Sequence, residues 1–274
     1  MRFMTFASST CCALMLVIPA QAHEFWISPE SFVIPPDAQV KADLRVGQNF
    51  SGSAYSFNPR SFDRFETLIN GTQTTVEGRL GDLPALNIDA PEDGLMTIVY
   101  ETTDSLLSYT EWEKFEKFAN HKDFEDVLGE HVVRGLPKDE RFVERYRRFG
   151  KSLVAVGSGA GSDAEVGLET EIVALANPYT FSSDTLPVKV LFQGKARPDV
   201  QVELFDKPPN GEVEVTLHRT DADGIAQIPV EPGHTYLVDS VVMLPLENND
   251  PALGPVWSSL WASLTFKVPS SPLN

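Results

Sequence analysis

The sequence predicts a mainly β protein with two β-sandwich domains, the first of which carries a helical insertion. Three observations support this fold class. Apolar and polar residues alternate with period two in both halves of the chain, helical spacing is confined to the middle, and turn-forming pairs such as Asn70-Gly71 separate short apolar runs. We therefore expect an N-terminal β domain at 23–180, with the insertion at about 106–150, and a C-terminal sandwich at 181–274.

The first 22 residues have the pattern of a secretory signal peptide. Arg2 precedes an apolar stretch that ends at Ile18, and Ala20-Gln21-Ala22 supplies the small residues of a cleavage site. The apolar run is about 8–12 residues long, whereas a membrane span needs about 20. Cleavage after Ala22 would make His23 the first residue of a periplasmic protein with no integral membrane segment.

Composition narrows the classes of partner. Both cysteines, Cys11 and Cys12, lie in the predicted signal peptide, so packing without disulfides must hold the mature chain together. Acidic residues number 39 against 22 basic ones, and the formal net charge is −17. This charge disfavours nucleic acid and anionic lipid as partners. It suits a cation ligand, although acidity alone also keeps an exported protein soluble.

The first part of the mature chain is expected to be β. Residues 25–27 are predicted to form the first strand, residues 40–46 alternate strictly between apolar and polar, and residues 95–100 are rich in β-forming residues. Asn70-Gly71 predicts a hairpin turn.

Two amphipathic helices are predicted within the insertion, because apolar residues recur there at helical spacing. These residues are Trp112, Phe115, Phe118 and Ala119 in the first helix, and Phe142, Val143, Tyr146 and Phe149 in the second. Asp139 is the expected N-cap of the second helix, and Gly150 is its expected C-terminal stop.

Strand character returns after the second predicted helix. Residues 153–156 and 170–175 are assigned to strands of the first domain, on either side of the glycine-rich stretch 157–162. Six further short strands predict an antiparallel sandwich. They cover residues 188–192, 200–205, 213–217, 225–230, 236–244 and 264–268. Asp221-Ala222-Asp223-Gly224 is interpreted as a hairpin turn, because the glycine and glutamate that a calcium loop would need further on are absent.

His23 is the most informative candidate for chemistry. Signal cleavage would expose its α-amino group beside its own imidazole, so one residue would offer two nitrogen ligands. Such a chelate suits Ni, Co, Cu or Zn. The alternative is that a histidine is merely tolerated at the cleavage site, ahead of the first strand.

The other histidines are weaker candidates for metal ligands. His121 and His131 flank the end of the first predicted helix and could face each other across a turn, although exposed helix positions explain them equally well. His218 and His234 are interpreted as solvated loop residues.

Enzyme motifs are missing from the sequence. The mature chain has no cysteine nucleophile, and no serine occupies a Gly-x-Ser-x-Gly elbow. We therefore expect no enzymatic activity. Trp257 and Trp261 could line a carbohydrate platform, but buried packing beneath a sandwich is the more ordinary role.

Several separated blocks of sequence resemble one family. They are Ala22-His23-Glu24-Phe25-Trp26, Val46-Gly47-Gln48 with Phe50 and Gly52, residues 144–151 with Val156-Gly157, Gly167 to Glu171 with Asn177-Pro178, Thr220 to Gly224, and residues 257–266. The family consists of exported proteins with a domain of unknown function, grouped with periplasmic components of cobalt and nickel ABC-type uptake systems. The C-terminal part also resembles sandwiches of the transthyretin or carboxypeptidase-regulatory type.

The family resemblance implies a periplasmic protein associated with metal uptake, with His23 as a ligand. The functional hypothesis is binding of a divalent transition metal, nickel or cobalt with copper and zinc as alternatives, and its delivery to an ABC-type or related transporter in the inner membrane. An internal histidine, His121 or His131, or a carboxylate would complete the site. Two rival hypotheses are a copper redox enzyme that uses the amino-terminal histidine, and a non-catalytic adhesion or glycan-binding module.

Overall fold

The computed structural model describes residues 23–89 and 92–273 of the chain. The predicted signal peptide at 1–22, including Cys11 and Cys12, lies outside the described residues. Half of the chain is strand and 7 % is helix, which confirms the prediction of a mainly β protein. In the described part of the chain, neither helix is long and apolar enough to cross a membrane.

Eighteen strands and two helices follow one another along the described residues. They are β1 (Glu24–Pro29), β2 (Val33–Ile34), β3 (Gln39–Gln48), β4 (Ser51–Tyr55), β5 (Phe62–Ile69), β6 (Thr72–Thr75), β7 (Leu86–Asp89), β8 (Gly94–Thr102), β9 (Ser105–Tyr109), α1 (Trp112–His121), α2 (Glu125–Val133), β10 (Phe142–Val156), β11 (Thr170–Ala174), β12 (Thr185–Phe192), β13 (Lys195–Ala196), β14 (Gln201–Lys207), β15 (Glu214–Arg219), β16 (Ile225–Pro229), β17 (Thr235–Pro245) and β18 (Trp257–Lys267). All six strands predicted in the C-terminal part are present.

The largest sheet has ten strands and joins the two halves of the chain. Its main path runs β15-β14-β17-β18-β10-β8-β5-β6, and β2 and β9 also pair with β10. β10 and β18 lie parallel, with Glu144 opposite Trp257 and Ser152 opposite Thr265. The sheet therefore continues across the boundary predicted at 180/181.

Two smaller sheets pack against this large sheet. One contains β1, β3, β4 and β7, and the other contains β11, β12, β13 and β16. β10 contributes to both cores, because Val154 and Val156 pack with the first small sheet and Leu153 and Ala155 pack with the second. Side chains alternate across a strand, so this double role explains the unbroken apolar run at 153–156. Sandwich packing on each side agrees with the predicted fold class.

The second predicted helix is wrong, because residues 142–149 belong to β10. Both faces of this strand are covered, so apolar residues occur at odd and even positions and imitate helical spacing. Phe142 packs in the cluster around the helices, whereas Phe149 packs in a separate cluster. Gly150 is not a helix stop. A Cβ atom there would lie 2.6 Å from the ring of Phe25, so close packing requires glycine.

The helical insertion is therefore shorter than predicted. α1 agrees with the first predicted helix, and its buried residues are Phe115, Phe118 and Ala119. α2 was not predicted, and its low amphipathicity explains why. Arg134, directly after α2, fastens it to the rest of the chain by donating hydrogen bonds to the carbonyl oxygens of Leu246, at 2.6 Å, and Val256, at 3.0 Å.

Two further local predictions are wrong, because strands that are neighbours in sequence belong to different sheets. β11 was assigned to the first domain, but it pairs with β12 from Thr170 opposite Phe192 to Ala174 opposite Val188. The Asp221-Ala222-Asp223-Gly224 turn connects β15 to β16, which lie in separate sheets, so it is not a hairpin turn. The hairpin at Asn70-Gly71 is confirmed, and it joins β5 to β6.

Candidate functional site

A cleft lies beside helix α1 and the central strands of the large sheet. Its volume is about 180 Å³. The lining includes His23, Phe118 of α1, Trp261 of β18, and Glu144, Tyr146 and Arg148 of β10. His23 is exposed and directly precedes β1. The residue that cleavage after Ala22 would make the amino terminus therefore borders the cleft.

Strand periodicity brings the β10 residues into the cleft. Glu144, Tyr146 and Arg148 are two residues apart, so their side chains lie on the same face of the strand. Arg145 and Arg147 lie on the opposite face, where each forms ion pairs with acidic side chains. One face of this part of β10 thus lines the cleft, whereas the other face is occupied by ion pairs.

Glu144 is a fully buried acidic side chain in the cleft wall. The hydroxyl of Tyr109 donates a hydrogen bond of 2.8 Å to its Oε2, and the hydroxyl of Ser259 donates one to its Oε1. Ser259 accepts in turn from the indole Nε1 of Trp261 at 2.8 Å. Burial raises the pKa of Glu144 to about 7, against the smaller lowering by the two hydroxyl hydrogen bonds. The cleft therefore contains an acid that titrates near neutral pH.

The raised pKa of Glu144 predicts that the free energy of unfolding depends on pH, and that Glu144→Gln removes this dependence. The folded state keeps the Glu144 proton up to about pH 7, whereas an unfolded glutamate releases it near pH 4.5. The folded state therefore binds more protons in this interval, and wild-type stability falls as pH rises through it, by up to about 3 kcal/mol from this group. We expect the variant to gain stability relative to wild type over the same interval, measured by urea unfolding.

Glu140→Gln is the matched control for that measurement, because Glu140 is exposed. Its stability profile should run parallel to that of the wild type from about pH 4 to pH 8. Parallel profiles for Glu144→Gln as well would contradict the buried, proton-binding state of Glu144.

A cluster of charged side chains lies on the other side of Trp261. The Nζ of Lys122 is 2.7 Å from Oε2 of Glu203 and 2.9 Å from Oδ2 of Asp239. It also lies 4.9 Å above the Trp261 ring. Glu203 and Asp239 are directly opposite each other on β14 and β17. All three charged groups are buried, so one lysine pairs with two carboxylates that the strand register places together and balances one of their two negative charges.

Glu24 adds a third acid to this cluster. Burial, together with the negative charge of Asp239, raises the pKa of Glu24 to about 7, against the lowering effect of Lys122. Glu24 Oε2 and Asp239 Oδ1 are both buried and accept no hydrogen bond within the described residues. The first residue of β1 is thus held beside a buried ion-pair network.

His121 connects this network to the surface. It ends α1, and its side chain is 55 % exposed. Its Nε2 lies 3.1 Å from Oε1 of the buried Glu203. This hydrogen bond raises the pKa of His121, and the charge of Glu24 raises it further, against the effect of partial burial. One ring nitrogen of an accessible imidazole is therefore fixed by a buried carboxylate.

Most of the chain matches one known protein family. Residues 20–243 match the family described as a domain of unknown function, DUF4198. The chain belongs to this family. No curated protein matches the sequence.

The DUF4198 region contains most of the candidate site. His23, His121 and Glu144 lie within residues 20–243, whereas Ser259 and Trp261 of β18 follow the end of the match. The cleft wall in this DUF4198 protein is therefore completed by a strand beyond the matched region.

His131 of the DUF4198 domain has no ring nitrogen available for a metal. Its Nδ1 accepts a hydrogen bond of 3.1 Å from Trp257, and its Nε2 donates one of 3.0 Å to the carbonyl of Pro137. Burial lowers its pKa, which agrees with a neutral ring. Both ring nitrogens of His131 are occupied, so it fastens α2 to the sheet.

The remaining sequence candidates have structural partners. His218 lies on β15, and its Nε2 is 2.9 Å from the hydroxyl of Thr216. His234 lies in a turn with Nδ1 2.7 Å from Asp206, and its side chain is only 16 % exposed, so it is less solvated than predicted. Trp257 and Trp261 are buried, which agrees with packing and not with an open carbohydrate platform.

Sequence reasoning missed Glu144, Lys122, Glu203 and Asp239. The signal for the two last residues was a single charge inside a long apolar strand, in Val202-Glu203-Leu204 and Val238-Asp239-Ser240. A buried charge requires a partner, but the chain does not reveal which of 22 basic residues supplies it.

Proposed function

We propose that the mature protein binds a divalent transition-metal ion at its amino terminus, through His23 and His121. The observation that carries this proposal is the hydrogen bond from His121 to the buried Glu203. Metal-binding histidines commonly donate their second ring N–H to a carboxylate, which fixes the ring and strengthens the other nitrogen as a ligand. With Nε2 directed at Glu203, Nδ1 of the exposed ring is left for a metal.

His23 supplies the other two donors after cleavage, its α-amino nitrogen and its imidazole. Glu24, the next residue, is close enough to His121 for its charge to raise the pKa of that histidine, which supports placing the amino terminus near His121. Within the described residues, no three His, Asp or Glu side chains form a group that could hold a metal unaided. The α-amino nitrogen is therefore an essential donor in this proposal.

Three nitrogen donors suit nickel and cobalt, and also copper and zinc. The resemblance around Ala22-His23-Glu24-Phe25-Trp26 favours nickel or cobalt as cargo that the protein passes, in the periplasm, to an inner-membrane uptake transporter. In this role the protein has no catalytic step. The acidic surface, with a formal net charge of −17 for the whole chain, favours the approach of a cation.

Calorimetric titration of the mature protein with Ni, Co, Cu and Zn tests the proposal. The protein should be produced so that it begins at His23 with a free α-amino group, and its mass should be verified. We expect one-to-one binding, weakened at least about 100-fold by His23→Ala and about 10-fold or more by His121→Ala. His218→Ala is the control, because that histidine lies elsewhere and should leave binding unchanged.

A form with one glycine placed before His23 separates the two donors of that residue. It keeps the imidazole but moves the α-amino group, so its affinity should fall towards that of His23→Ala. Equal affinity in the wild type, His23→Ala, His121→Ala and the glycine-extended form would refute a terminal metal site. Tight binding of copper alone, with oxidation of an added reductant, would instead favour the copper redox enzyme.

A further inference from the structure

Arg148 is a cation without an acidic partner, although the chain is strongly acidic. In the described residues no carboxylate lies within 4.0 Å of its guanidinium, whereas Arg145 and Arg147 on the opposite face both have one. Within the described part of the chain, its side chain makes one polar contact, a long hydrogen bond of 3.4 Å from Nη2 to the carbonyl of His23. Its Nε is buried and finds no acceptor among the same residues. An unsatisfied buried donor of this kind calls for a missing acceptor.

The position of Arg148 suggests where that acceptor would be. Its guanidinium lies 4.8 Å from the centre of the Tyr146 ring, and both residues line the cleft beside His23. Stacking on an aromatic ring holds a guanidinium flat and leaves its edge for a planar acceptor. Carboxylates bind this edge with two parallel hydrogen bonds.

The remainder of the cleft suits a small aromatic body. Its volume of about 180 Å³ is close to the roughly 150 Å³ of apolar cavities that hold one benzene ring. Phe118 and Trp261, which are stacked with 5.6 Å between ring centres, form part of its wall. A second cation, Lys114, also lines the cleft, but it is paired with Glu111 at 2.7 Å. One unpaired positive charge matches one negative charge on the ligand.

We propose that this cleft binds a small monocarboxylate carried on a single planar ring, with the carboxylate on Arg148 and the ring against Tyr146, Phe118 and Trp261. The site borders His23, but its proposed contacts to the ligand are made by other residues and need no bound metal. A phosphate group is a poorer match, because its higher charge would meet one free guanidinium beside the acidic Glu144.

Titration with benzoate, followed by tryptophan fluorescence and calorimetry, tests this site in the metal-free mature protein. We expect saturable one-to-one binding of benzoate and at least about tenfold weaker binding of benzamide, which has the same ring and no charge. Arg148→Gln should weaken benzoate binding about 10-fold to 100-fold. Arg148→Lys keeps the charge without the planar fork, so its affinity for benzoate should lie between those of the wild type and Arg148→Gln.

Arg79→Gln is the control, because Arg79 is exposed and is not among the residues that line the cleft. It should bind benzoate like the wild type. Equal binding of benzoate and benzamide, undiminished binding by folded Arg148→Gln and Arg148→Lys proteins, or inorganic phosphate binding as tightly as benzoate would each overturn the proposal. Because no metal is present, these outcomes are independent of the outcome for the terminal histidine.

Discussion

Replacing Lys151 with methionine should lower the free energy of unfolding by about 3–5 kcal/mol at pH 7. Lys151 is 1 % exposed, and its Nζ lies 2.9 Å from Asp163 and 3.0 Å from Glu171. Both carboxylates are buried, so the substitution leaves two negative charges in the interior with no cation. Removing one member of a buried ion pair costs far more than an exposed pair is worth.

The structural position of Lys151 increases this cost. Asp163 accepts a hydrogen bond from the backbone N–H of Ala174 at 2.9 Å, and Glu171 accepts one from Val166 at 2.9 Å. The lysine therefore holds the segment before β11 against β10. Burial already raises the pKa of Asp163 in spite of the lysine. Without the lysine, Asp163 loses the charge that lowers its pKa and should take up a proton more readily, so the cost should be smaller near pH 5 than at pH 7.

Urea unfolding at both pH values measures this effect. Lys195→Met is the matched control, since Lys195 is exposed on β13 and its loss should change stability by less than about 0.5 kcal/mol. A similar small change for Lys151→Met, or a cost that grows towards low pH, would contradict the buried ion-pair network.

Local sequence patterns predicted most of the strands, and they failed where one strand serves two cores. The predicted strands at 40–46, 95–100 and 225–230 have one clear alternation or a bounded apolar run, and each is present. β10 has buried residues on both faces, so its period-two signal disappears and its apolar spacing resembles that of a helix. The missing information was the packing partner on each face, which only the assembled sheets supply.

The candidate site could be predicted only in part for a related reason. The predicted cleavage after Ala22 pointed to His23, and a position at the end of the first predicted helix pointed to His121. The residue that orients His121 is Glu203, which is far away in the chain and becomes its neighbour through the pairing of β14 with β17. In the sequence, His131 is as good a candidate for a metal ligand as His121. Hydrogen bonds with Trp257 and with the carbonyl of Pro137 occupy both of its ring nitrogens. Burial therefore separates two histidines that the sequence could not distinguish.

Replacing Lys122 with methionine is the second substitution with a large expected effect, a loss of about 3–5 kcal/mol in the free energy of unfolding. Lys122 connects the C-terminal end of α1 to β14 and β17 through Glu203, at 2.7 Å, and Asp239, at 2.9 Å. These two buried carboxylates lie directly opposite each other. Without the lysine, Glu203 keeps its contact with His121, but Asp239 loses the cation beside it and the repulsion between the two carboxylates is less compensated. The contact of its ammonium group with Trp261 is lost as well.

Lys117→Met is the matched control, because Lys117 lies exposed on the same helix. It should alter the free energy of unfolding by less than about 0.5 kcal/mol, as measured by urea unfolding. If Lys122→Met is equally mild, the buried ion pairs of the lysine with Glu203 and Asp239 do not stabilise the protein in solution.

A double-mutant cycle with Asp239→Asn distinguishes the ion pair from ordinary packing. Asparagine keeps an oxygen that can accept from Lys122 but removes one of the two buried charges. If unpaired charge causes the loss, Lys122→Met should cost at least about 1 kcal/mol less in the Asp239→Asn background than in the wild type. An equal cost in both backgrounds would assign the effect to lost contacts of the lysine stem with its surroundings. The network would then position α1, and His121 at its end, through packing and not through charge.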